Sequence, residues 1–148
     1  MKLNELRLKT TNGFKVNNLD IDLDIKELNT DKLYEINGIE VSQNIKNEEI
    51  TSKVGITYSK YLELTISVDN TYSNPILVNY NFSNDNYLVS KIIINFEKNS
   101  SADFIFNYKS TDNNKHFNYL VEEINAKEYS NGTVTYINNL NNISTNII

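Results

Sequence analysis

The chain has no cysteine and no tryptophan, and only one histidine, one proline and four glycines among 148 residues. Without cysteine there is no disulfide framework, no thiolate metal site and no cysteine nucleophile. A single histidine excludes Cys/His zinc chemistry and leaves His116 as the only ring for a Ser-His-acid triad. Four isolated glycines cannot build a phosphate-cradling loop. The net charge of −5 argues against nonspecific nucleic-acid binding, which needs a concentrated basic surface to displace counterions. No apolar run approaches the length of a membrane span. The first residues lack the apolar core of a signal peptide, because Asn4 and Glu5 interrupt it. The expectation is a cytoplasmic protein with neither a membrane nor a nucleic-acid partner.

What the chain does contain is asparagine, 27 residues of it, with abundant Lys, Ile and Tyr. This bias fits AT-rich codon usage, since the asparagines are interleaved with regular apolar alternation rather than gathered in low-complexity tracts. Leu19, Ile21, Leu23 and Ile25 alternate with Asp20, Asp22, Asp24 and Lys26, as in a half-buried strand with an acidic outer face. A calcium loop would need a glycine-bearing turn and a distal Glu, which this stretch lacks. Turn signals at Asn12-Gly13 and Asn37-Gly38 flank it. Farther on, Leu62, Leu64, Ile66 and Val68 alternate with polar residues, and so do Ile76, Val78, Tyr80 and Phe82. Residues 88–96 and 117–124 read as further strands. No window supports a long amphipathic helix.

The C-terminal half carries a thirty-residue echo. Ser100-Ser101-Ala102-Asp103-Phe104-Ile105-Phe106-Asn107-Tyr108 is followed by Ser130-Asn131-Gly132-Thr133-Val134-Thr135-Tyr136-Ile137-Asn138. A small residue at a turn followed by period-2 alternation, recurring at a fixed interval, predicts stacked rungs of a β-solenoid. Phe104 then lies beside Val134, and Phe106 beside Tyr136, with residues 76–82 as an earlier, more loosely spaced rung. Strands of about five residues would make the coil three-sided. The expected fold is all-β, a parallel β-helix, with a β-sandwich as the alternative. Residues 1–50 are expected to form an N-terminal β-rich lead-in segment and 51–148 the core rungs of one continuous domain, incomplete at the C-terminus.

Three stretches resemble the SufB/SufD family of iron–sulfur cluster assembly proteins. The first is residues 6–17, LRLKTTNGFKVN. The second is Asn74-Pro75-Ile76-Leu77-Val78-Asn79-Tyr80, followed by Ile92-Ile93-Ile94 and Glu97-Lys98-Asn99-Ser100-Ser101-Ala102. The third runs from His116 through Val121-Glu122 to Gly132-Thr133-Val134-Thr135-Tyr136. The tryptophan and proline of the family's opening motif are missing. The resemblance covers about 130 residues and implies a right-handed parallel β-helix, similar to the N-terminal part of a SufD-like scaffold. Its implied partners are a SufC-like ATPase and a SufB-like scaffold. Iron or an iron–sulfur cluster is handled by the wider complex, and no cofactor-binding, metal or catalytic residue carries over to this chain, which is expected not to be an enzyme. Open solenoid ends imply possible self-association.

Several residues admit two readings. His116 is either a rung-edge residue or an iron or catalytic ligand. Glu122 and Glu123 could pair for acid–base work, but neighbours in a strand face opposite sides. Tyr58, Tyr61, Tyr80, Tyr108, Tyr119, Tyr129 and Tyr136 either pack between strands or offer a stacking surface to sugars. The second reading makes the chain a carbohydrate- or surface-binding module. Ser100-Ser101 has no base placed to activate it.

Overall fold

The computed structural model describes residues 2–3, 19–20, 32–51, 57–84 and 87–148. The acidic alternating segment and the Asn12-Gly13 turn lie outside them, apart from Leu19 and Asp20. The chain is all-β, and no described residue is helical, so no helix is long and apolar enough to cross a membrane. The described residues form thirteen strands: β1 (Lys2–Leu3), β2 (Leu19–Asp20), β3 (Glu35–Ile36), β4 (Val41–Lys46), β5 (Ile50–Thr51), β6 (Thr57–Tyr58), β7 (Tyr61–Val68), β8 (Ile76–Phe82), β9 (Tyr87–Phe96), β10 (Ser101–Ser110), β11 (Phe117–Ala126), β12 (Asn131–Asn139) and β13 (Thr145–Ile147).

Two sheets dominate. One has the order β12-β10-β8-β3 and the other β13-β11-β9-β7-β4. From β7 to β13 consecutive strands alternate between the sheets, so no two neighbours in sequence pair with each other. Pairing within each sheet is parallel from β7 and β8 onward, whereas β3 and β4 pair antiparallel with β8 and β7. Lead-in residues therefore supply the last strand at one end of each sheet. The Asn37-Gly38 signal is a bend between sheets, with Gly38 at φ 90°, a conformation that favours glycine.

Register follows the echo. Phe104 pairs with Val134 and Phe106 with Tyr136, as the alternation predicts, and Phe104 also pairs with Ile76. The number of strands per interval differs from expectation. One interval holds two ten-residue strands, β10 and β11, instead of three short ones. Pairing runs unbroken through each, and no turn residue interrupts it.

Alternation makes the inner rows. Leu62, Leu64, Ile66 and Val68 of β7 are buried, as are Ile76, Val78, Tyr80 and Phe82 of β8 and Phe104, Phe106 and Tyr108 of β10. Side chains of this size contribute roughly 1.5–3 kcal/mol each on full burial. Residues of the opposite parity build a second cluster, in which Ile50 and Tyr58 of the β5–β6 hairpin pack with Tyr61, Val89, Phe117 and Tyr119.

Candidate functional site

His116 ends the connection between β10 and β11, and its ring is fully buried against Phe82, with centroids 5.5 Å apart. Its Nε2 lies 2.8 Å from Asp112 Oδ1. Asp112 Oδ1 also accepts from Asn114 N, and Oδ2 accepts from Asn84 N in the preceding turn. These backbone donors, with His116 as a smaller contributor, hold the Asp112 carboxyl below the usual range. Towards the following turn, His116 N donates to Ser144 Oγ at 2.9 Å, and Ser144 Oγ donates to Asn141 Oδ1 at 2.7 Å. Asn141 Nδ2 donates to the carbonyls of Asp112 and Asn114. Three successive turns are thus tied together vertically. Ser144 meets His116 at its backbone, and a ring without exposed surface has no path to a solute. The geometry is that of a structural corner joining turns.

A second polar group lies between the sheets. Tyr34, just before β3, inserts its ring edge-on to Tyr80 at 5.2 Å. Its hydroxyl meets Ser90 Oγ at 2.9 Å and the Tyr108 hydroxyl at 3.3 Å. Gln43 of β4 locks the Tyr34 backbone, accepting from its N–H and donating to its carbonyl. Burial pushes the Tyr34 phenol up to about 12, against the opposing effect of the Ser90 and Tyr108 hydrogen bonds. A phenol held neutral in this way is a structural tie rather than an acid or base at ordinary pH.

The opposite end of the stack is built differently. Glu122 pairs with Ile92, which pairs with Leu64, so a carboxylate occupies a row that is aliphatic elsewhere. Glu123 faces outward and bonds Lys91 at 3.0 Å. The two carboxylates therefore diverge, as strand parity requires. Glu122 Oε1 and the Tyr136 hydroxyl are both buried and close enough to interact, though neither makes a well-formed hydrogen bond. Burial first, and the Glu122 carboxylate second, push the Tyr136 phenol far above its ordinary value. Beyond them the inner row opens, with Ile124 48% exposed.

The short turns after β9 and β11 stack as well. Asn99 and Tyr129 both adopt left-handed backbone, at φ 58° and 59°. Lys98 bonds Glu128 at 2.9 Å and Lys127 bonds Glu97 at 2.5 Å. Ser100 Oγ caps its turn by donating to the Glu97 carbonyl, as Ser130 does to Lys127. Ser100 is buried, so its hydroxyl serves the turn. Of the seven tyrosines considered as a stacking surface, five are buried, Tyr136 is half-buried, and Tyr129 is 80% exposed with Lys98 over its ring.

Among the described residues no group of three or more His, Asp or Glu side chains converges as a metal site. Tyr34 and the inward Glu122 escaped the sequence reading. The parity of Leu120, Glu122 and Ile124 was the available signal for Glu122, whereas Tyr34 sits in a stretch without alternation. No protein-family model, curated protein or solved structure matches this chain.

Proposed function

We propose that the chain is a scaffold component, or a fragment of one, in an iron–sulfur cluster assembly machinery of the SUF type, built as a right-handed parallel β-helix. In this reading β7/β8, β9/β10 and β11/β12 are successive two-sided rungs. The supporting observation is the strict alternation of consecutive strands between two parallel sheets, with partners 28 residues apart from β8 to β10 and 30 apart from β10 to β12. A sandwich of hairpins would instead pair consecutive strands. Together with the motif order from Pro75 to Tyr136, this favours the SufB/SufD-like reading.

The chain then acts through contacts with SufC-like and SufB-like partners in the cytoplasm, performs no catalysis and holds no cofactor itself. Iron or the cluster is handled by the wider complex. The test is affinity co-purification from the source cells, with and without ATP. A SufC-like ATPase or SufB-like protein recovered with the chain is the expected result, and recovery of neither under any nucleotide condition overturns the reading. A carbohydrate-binding module is the second reading, favoured by the exposed Tyr129 alone. Specific glycan-array binding lost in Tyr129→Ala would establish it.

A further inference from the structure

Two Asn-Gly pairs fall among the described residues, Asn37-Gly38 and Asn131-Gly132. Such a pair carries its own chemistry, because glycine has no Cβ to shield its backbone nitrogen from the preceding carboxamide. Ring closure between the two requires that nitrogen to swing toward the asparagine side chain. By sequence the two pairs are equally able to react. The fold separates them.

Asn37 and Gly38 lie in the connection between β3 and β4, and both are exposed. Neither belongs to a paired strand. Gly38 has φ 90°, and beyond its chain neighbours no heavy atom comes within 4 Å of where a Cβ would stand. With Tyr72, Asn74 and Pro75 the two residues line a cleft of about 430 Å³, so water reaches the pair. On either side the chain is anchored, since Tyr34 and Gln43 exchange two hydrogen bonds across the connection. Rearrangement of the connection therefore need not disturb the strands that flank it.

Asn131 and Gly132 are held instead. They begin β12 and pair with Ser101 and Ala102 of β10, and Asn131 N–H donates to the Ser100 carbonyl at 3.1 Å. Extended backbone turns the Gly132 nitrogen away from the Asn131 carboxamide. Gly132 is also packed so closely that a Cβ there would collide with the Ala102 carbonyl and the Phe96 ring. Reaction at this pair requires β12 to open first.

We propose that Asn37-Gly38 is a site of spontaneous deamidation, which the fold leaves open while it closes Asn131-Gly132. The Gly38 nitrogen attacks Asn37 Cγ, the Cγ–Nδ2 bond breaks, and Nδ2 leaves as ammonia with the Gly38 amide proton. Water then opens the succinimide at one of its two imide bonds, giving aspartate or isoaspartate. The net change is amide plus water to acid plus ammonia, and no oxidant or cofactor enters. Either product adds a negative charge to a chain already at −5. Isoaspartate also adds a methylene to the backbone between the two sheets. The site is independent of the scaffold reading, so its failure leaves the co-purification result untouched.

The test follows the native 148-residue chain at mildly alkaline pH, beside the same chain unfolded in urea. Trypsin places the two pairs on separate peptides, 33–46 and 128–148, and mass spectrometry with fragmentation reads conversion of amide to acid at each asparagine. In the native chain Asn37 should convert at least about tenfold faster than Asn131, since strand opening enters the rate at Asn131 alone. In urea the two should convert at similar rates. Asn37→Gln, which would have to close a larger and slower-forming ring, should remove conversion from 33–46 with unchanged circular dichroism. The proposal is overturned if Asn37 does not convert in the native chain, or if Asn131 keeps pace with it there. A rate difference that persists in urea, or conversion of 33–46 that survives Asn37→Gln, would overturn it as well.

Discussion

The two ends of the stack are closed by opposite means. At the first end the chain reverses direction: β3 and β4 pair antiparallel with β8 and β7, Tyr34 plugs the space between the sheets, and Gln43 pins Tyr34 in place. At the last end parallel order continues to the final strands, the inner row holds Glu122 and the half-buried Tyr136, and residues 129–148 carry no charge. A reversed strand and a fully bonded aromatic plug close a core from within the chain.

The largest expected break in this contrast is Tyr34→Ala. Emptying the plug should cost about 3–5 kcal/mol in urea unfolding, as for other buried aromatics. Tyr136→Ala at the half-open end should cost clearly less. Equal losses would mean that the two ends are equally well packed. Tyr34→Phe, which keeps the ring and removes the ties to Ser90 and Tyr108, should cost about 1 kcal/mol.

Gly132→Ala comes next. An added Cβ would meet the Ala102 carbonyl of β10 at 2.3 Å and the Phe96 ring of β9 at 2.7 Å. The expected loss is about 1–3 kcal/mol, with faster amide exchange in β12 while β8 and β10 remain protected. Uniform exchange throughout would mean that the stack unfolds as one unit. Glu122→Leu restores the aliphatic row and removes a buried carboxylate oxygen without a well-formed hydrogen bond, at the cost of its interaction with the Tyr136 hydroxyl, so stability should rise by at most about 1 kcal/mol. A decrease would show that Glu122 serves the packing of this end.

Asp112 ties the turn at Asn84 to the corner at His116, linking the first end to the last. Its folded pKa lies below its unfolded value, so its contribution is complete above the unfolded pKa and is lost as pH falls through the folded one. Wild type should therefore lose stability below about pH 4, and Asp112→Asn should lack that part of the acid response in a thermal-melt pH series. Identical acid profiles would mean that the tie does not change on folding. The smallest effect belongs to Lys127→Ala. Its pair with Glu97 is exposed, and removal should shift stability by about 0.5 kcal/mol or less.

Inner rows were legible in the sequence wherever alternation was clean. Phe104 with Val134, Phe106 with Tyr136, and the earlier row from Ile76 to Phe82 all follow from parity and the echo. The number of strands per interval was not legible, because strand length was assumed from averages although Ser101–Ser110 and Phe117–Ala126 each run ten residues without a turn. Tyr58, Tyr61 and Tyr119 are buried on the other face because the β5–β6 hairpin covers them. No local pattern announces a hairpin folding back over a sheet. His116 was left between an edge position and a ligand role, and its link to Asp112 four residues away was within reach of the sequence. Its ties to Asn84 and Ser144 needed the stacking itself.

The stacked turns after β9 and β11 have a consequence beyond their small energies. Their charges run Glu97-Lys98 in one turn and Lys127-Glu128 in the next, so correct stacking sets opposite signs over each other. A slip of one residue in one direction sets Lys98 over Lys127, and in the other direction Glu97 over Glu128. Either error meets like charges, at the same place where the strand faces would invert. The two turns form a key with inverted teeth that admits one alignment, proofreading the assembly of each layer while adding little to its strength.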